Sequence, residues 1–135
     1  MIIINFSHPL TDDQLQAIER AGGESIQRVI AAPAHFHEDE PYLDQIRDLV
    51  RHVGLSSHQW QTEPILINPP AYAPIAVSLQ TYLHGLAGGF LPVIRLRPVL
   101  DSPVRRYEFA EILDLQGLYR DSGREARREE ASDGR

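Results

Sequence analysis

The chain of 135 residues contains no cysteine, so disulfides, thiol catalysis and thiolate metal sites are excluded. It contains no lysine either: all 13 basic residues are arginine. That removes Schiff-base chemistry and a P-loop lysine, and leaves rigid, permanently charged forks suited to phosphate. A genomic preference for arginine explains the bias equally well. No GxGxxG follows the first apolar run, and Walker, GxSxG and HExxH motifs are also missing. The usual sequence routes to dinucleotide binding, serine hydrolysis and zinc proteolysis are thereby closed. No apolar run approaches the ~20 residues of a membrane helix, and the start lacks both a basic n-region and a long h-region. A cytoplasmic protein with no membrane partner is the default expectation. Positive charge is also short. A formal net charge of −6 at pH 7 argues against a coat for duplex DNA or RNA, whose affinity rests on phosphate neutralisation. It leaves room for a small anion held by backbone amides and a few arginines.

What is present reads as one domain, with 42% hydrophobic and 24% charged residues. Ile2 to Phe6 form a β-branched run without alternation, which predicts a short, fully buried strand. Thr11 with Gln14 three residues later makes a capping box, Leu15, Ile18 and Ala21 give an apolar face, and Gly22-Gly23 ends the helix. A second strand is expected over Ile26 to Ala32. After an acidic loop, Pro41 opens a helix marked by Leu43, Ile46, Leu49, Val50 and Val53, with Gly54 as its stop. One short turn carries Trp60. Pro64 to Asn68 is a third buried strand, and a helix runs from Tyr72 to Leu86. Phe90 to Val99 and Arg105 to Leu113 read as an antiparallel hairpin. Residues 119–135 are charged, without apolar periodicity, and are expected to be a frayed or disordered tail on a domain of residues 1–118. The β-α-β-α-β-α-β-β order predicts an α/β three-layer sandwich: a mostly parallel sheet, Rossmann-like, with a C-terminal antiparallel β-hairpin.

In such sheets ligands bind outside the carboxyl ends of the strands. Three loops qualify: Ser7-His8-Pro9-Leu10, Pro33-Ala34-His35-Phe36 and Asn68-Pro69-Pro70-Ala71. The first and third precede helices, whose free N–H groups favour an anion. Ser7 and His8 are neighbours that rarely point at each other in such a turn, and nothing marks an acid to orient His8, so a triad is not expected. They either satisfy turn hydrogen bonds or touch a ligand. His35 and His37 with Glu38, Asp39 and Glu40 imitate a metal cluster, but zinc needs further converging ligands, and a solvated acidic loop is the expectation. His84 is either a helix-end histidine or a ligand donor. Arg95 and Arg97 either pair with Glu108 and Glu111 across the hairpin or face a phosphate at a dimer groove.

The segments "IIINFSHPLT", "WQTEPILINPPAYAPIA" and "LHG…GFLPVIRLRPV…YEFAEILDLQ" together resemble a small CRISPR-associated ancillary family of type III loci. The likeness covers nearly all of residues 1–118. It implies a Rossmann-like (CARF-like) homodimer that binds a cyclic oligoadenylate second messenger, with cyclic tetra-adenylate the expected ring and no cofactor or metal. A two-fold ring suits an isologous dimer. Its phosphates would meet helix starts and arginines such as Arg97. Its adenines would fill pockets lined by Phe6, Phe36, Pro69 and Tyr72. Asn5, Ser7, His8, Pro9, Asn68, Pro70 and His84 complete the expected contacts. Two fates follow: sequestration of the messenger, or ring cleavage by ribose 2′-hydroxyl attack with His8 as the base. Lacking lysine and an evident acid–base pair, the sequence favours sequestration. A dimerisation module without a nucleotide is the third reading.

Overall fold

A computed structural model describes residues 1–134. The elements are β1 (Ile2–Asn5), α1 (Asp12–Gly22), β2 (Arg28–Ala31), α2 (Tyr42–Val53), α3 (Ser57–Thr62), β3 (Ile65–Asn68), α4 (Ala73–Ala87), β4 (Val93–Pro98), β5 (Tyr107–Leu113) and α5 (Leu115–Asp133). The five strands form one sheet in the order β2-β1-β3-β4-β5. β1 pairs in parallel with β2 and β3, β3 pairs in parallel with β4, and β5 runs antiparallel to β4.

β1 and β3 are central and buried along their whole length, which is why both read as unbroken apolar runs. Alternate side chains supply two cores. Ile2, Ile4, Ile65, Ile67 and Val93 pack with Ile46 and Val50 of α2, Trp60 of α3, and Ile75, Leu79 and Leu83 of α4. Ile3, Leu66 and Ile94 face the other way, with Ile18 of α1. Helices therefore cover both faces. Removing one such isoleucine down to alanine costs ~2–5 kcal/mol. The chain steps from β1 to β2 with α1 on one face, then crosses back to β3 and on to β4 with α2, α3 and α4 on the other. Reversing both direction and face is what a constant crossover hand requires. The reversal lies between β1 and β3.

Helix ends follow the local signals. Thr11 and Ser56 each close a capping box. Gly23 and Gly54 stop α1 and α2 at φ 69° and 80°, a left-handed geometry that glycine adopts without a Cβ clash. Two expectations are corrected. The second strand is shorter than Ile26 to Ala32: its register with β1 spans Arg28–Ala31, single bonds from Gln27 N–H to Met1 O and from Ala32 N–H to Asn5 O flank it, and Ile26 N–H turns to Glu19 Oε1. The charged segment that begins at residue 119 is helical through Asp133, within α5, whereas Arg135 lies outside the described residues. No residue of α5 is buried, so the missing apolar stripe is real. The helix is set by Asp114, whose side chain accepts from Gly117 N–H at 2.9 Å, and by Ala-, Arg- and Glu-rich composition. Among the described residues no helix is long and apolar enough to cross a membrane.

Candidate functional site

The reversal of strand order falls at the carboxyl ends of β1 and β3, the place where open α/β sheets form their ligand crevice. The ladder continues to Phe6, whose N–H donates to Asn68 O at 2.9 Å and whose carbonyl accepts from Ala34 N–H at 3.2 Å. Below that line lie two buried asparagines in register, Asn5 and Asn68, 3% and 4% exposed. Asn68 Nδ2 donates to Asn5 Oδ1 at 2.9 Å. The same oxygen accepts Ser7 N–H at 3.0 Å, and Asn5 Nδ2 donates to His8 O at 2.9 Å. One side chain thus ties both central strands and the turn after β1. Ser7 is half-buried, while His8 and Pro9 are exposed.

Two helices start at this edge. The start of α1 is closed by its own side chains: Thr11 Oγ1 accepts Gln14 N–H at 3.2 Å, and Gln14 Oε1 accepts Thr11 N–H at 2.9 Å. Asp12 and Asp13 add two negative charges to its first turn. An anion gains little there. The start of α4 has no side-chain cap and no acidic residue, and Pro74 lies in its first turn. Its positive end is unspent, so the anion-favouring start is the one after Asn68-Pro69-Pro70 rather than the one after Ser7-His8.

Beside α4 runs an aromatic row. Phe36 meets Tyr42 edge-on at 5.4 Å between ring centroids, and Tyr42 meets Tyr72 at 6.3 Å. Phe36 and Tyr42 rest on the core of the α2–α4 face, whereas Tyr72 is 53% exposed and offers a ring to stack on. Tyr42 Oη donates to Glu38 Oε2 at 2.9 Å. That bond first, then burial and the Glu38 charge, raises the phenol above its ordinary value. A cleft of about 650 Å³ lies next to the row, between the end of β2 and α2, lined by Ala32, Phe36, His37, Asp48, Leu49 and His52. It borders the end of the edge strand β2, one strand over from the β1–β3 reversal, so the strand reversal and the helix start locate the site better than cleft size does. Another, of about 420 Å³, separates α1 from the β4–β5 ribbon near Thr11, Arg106 and Phe109.

Three expected contacts are placed elsewhere. Phe6 is 1% exposed and fills the core, leaving no face for an adenine. Arg97 projects past the end of β3, since Val93 is opposite Ile67, but its Nε is bound to Glu108 Oε1 at 3.0 Å. Arg95 is likewise held by Glu111 at 2.7 Å. Both arginines are neutralised by pairing across the strands. His84 lies about 16 Å along α4 from its start, at ~1.5 Å per residue, with its ring 4.0 Å from that of Phe90. It serves the far end of the sheet. Pro69 is half-buried and Pro70 buried, so they shape the loop. His37 is engaged through its backbone with Gln45, and among the described residues no three His, Asp or Glu side chains converge on a metal-sized point.

Two features escape a reading by motif. Tyr42 joins Phe36 to Tyr72 only through tertiary packing. The second was visible: from Pro64 to Ile94 the chain has no Asp, Glu, Lys or Arg, a charge-free stretch that spans β3 and all of α4. No protein-family model matches the chain, and no curated protein or solved structure is significantly similar to it.

Proposed function

We propose that this protein is a Rossmann-like regulator that binds a cyclic oligoadenylate, cyclic tetra-adenylate in the first instance, and lowers its free concentration in type III CRISPR signalling. The resemblance in sequence suggests the ligand class. The observation that carries the reading is the uncapped, acid-free start of α4 beside an exposed tyrosine at the strand reversal. Such a place suits a phosphate next to a base. The strand order β2-β1-β3-β4 with parallel pairing supports the Rossmann-like assignment.

A two-fold ring calls for a two-fold protein. The 15 residues of α4 carry no charged side chain although Val77 is 66% exposed, which supports a second copy meeting the first along this helix. Sequestration is favoured over cleavage at the site itself. The groups fixed at the crevice floor are neutral amides, and the exposed imidazole of His8 has no carboxylate partner among the described hydrogen bonds and ion pairs.

Incubating purified protein with labelled cyclic tetra-adenylate, followed by a gel shift and a product chromatogram, tests the reading. A shifted band with intact ring is expected. Linear products ending in a 2′,3′-cyclic phosphate would establish a ring nuclease instead, and neither shift nor product across ring sizes would leave the dimerisation module.

A further inference from the structure

We infer that Asn68 reads a hydroxyl donor on the ligand, and that this donor is a ribose 2′-hydroxyl. The assignment rests on the oligoadenylate reading above. Asn68 is 4% exposed, and its orientation is dictated by Asn5. Because Asn5 Nδ2 donates to His8 O, Asn5 Oδ1 is the acceptor, and it takes both Ser7 N–H and the amide of Asn68. Asn68 must therefore turn its nitrogen to Asn5 and its Oδ1 away. Among the described residues no donor reaches Asn68 Oδ1, yet His84 Nδ1 is the one side-chain polar atom sealed from solvent without a partner. Asn68 Oδ1 is thus an unpaired acceptor that keeps a small contact with solvent on an otherwise buried side chain at the end of β3.

An acceptor held in this way discriminates by chemistry. It repels a phosphate oxygen, which is also an acceptor, and welcomes an O–H or N–H. A base amine is the weaker candidate. The rings that would stack a base, Phe36, Tyr42 and Tyr72, belong to the α2–α4 face. Asn68 follows Leu66 by two residues, and Leu66 faces α1, so the amide lies on the opposite side of the sheet. The sugar crosses the sheet end between them. A neutral amide carbonyl orients the hydroxyl without taking its proton, so the same contact that selects ribose leaves the ring uncut.

Binding of wild-type protein to cyclic tetra-adenylate and to its 2′-fluoro counterpart tests this, because fluorine keeps the ribose-like sugar pucker but cannot donate. The fluoro ring is expected to bind about tenfold or more weakly. In Asn68→Ala the two rings become equal. Equal binding of the two rings by the wild type overturns the assignment, as does a variant that still tells them apart. A cyclic tetra-inosinate that loses affinity while the fluoro ring does not would give the contact to the base amine and also overturn it. No binding of the ribose ring removes the oligoadenylate reading itself. If Asn68→Ala does not melt cooperatively, the two wild-type titrations decide alone.

Discussion

The starts of α1 and α4 lie at the same edge of the sheet and are built in opposite ways. At α1 the backbone is satisfied from within: Asn5 fixes the turn, Thr11 and Gln14 exchange bonds, and two aspartates complement the dipole. At α4 none of this is present, although any of Ser, Thr, Asp or Asn at the cap would stabilise the helix by ~0.5–2 kcal/mol. A helix left bare at one end is the arrangement expected where a ligand supplies the missing negative charge. The "NFSHPLT" turn, rich in polar groups, turns out to be the occupied end. The bland "NPPAYAP" is the vacant one.

The comparison can be broken from either side. Asn5→Leu removes three hydrogen bonds and leaves Ser7 N–H, His8 O and the Asn68 amide unpaired. Unfolding by denaturant is expected to show a loss of about 3 kcal/mol. Ala73→Asp places a carboxylate in the first turn of α4. Thermal stability is expected to rise by ~0.5 kcal/mol while affinity for cyclic tetra-adenylate falls about tenfold, whereas Asp12→Asn costs ~0.5 kcal/mol and leaves affinity alone. If both variants bind alike, the two helix starts are functionally equivalent and the contrast fails. Thr11→Ala opens the capping box and is expected to lower stability by ~1 kcal/mol in the same assay.

The smallest effect concerns Tyr42. Its phenol is raised by donating to Glu38, so this contribution to stability is complete below about pH 10 and lost as pH rises through the folded value. Glu38→Gln is expected to bring the phenol down toward its ordinary value, read by ultraviolet absorbance titration. An unchanged titration would detach Glu38 from the aromatic row.

Much of the scaffold was legible in advance because its determinants are local. Four isoleucine-rich or valine-rich runs, the Thr11 capping box and the stop glycines Gly23 and Gly54 mark most element ends to within a few residues, whereas the second capping box, at Ser56, was not read. What was hidden depends on distance in sequence. Asn5 and Asn68 were each recognisable as loop-edge polar groups, but nothing short of the β1–β3 register makes them partners across 63 positions. Phe6 continues the β1 ladder instead of turning out to a pocket: its N–H donates to Asn68 of β3 and its carbonyl accepts from Ala34 in the loop after β2. For Arg97 the sequence left pairing across the hairpin and a phosphate contact both open, and only the β4–β5 register brings Glu108 opposite it. The helical state of residues 119–133 was missed for the converse reason: that part of α5 has no apolar stripe because it lies outside the core, and only the first turns of the helix, from Leu115, pack on the body.

That last helix has a practical consequence in proteolysis. Its only ties to the body are in its first turns, where Gln116 Oε1 accepts Phe90 N–H at 2.8 Å and Tyr119 rests against the Phe90 ring. Beyond Tyr119, unwinding uncovers no apolar surface, so transient opening there is cheap compared with opening of the sheet. Arg120, Arg124, Arg127 and Arg128 all lie in that portion. Trypsin at low concentration is therefore expected to trim this helix back toward Phe90's grip, with the exposed Arg105-Arg106 pair of the β4–β5 loop as the competing site.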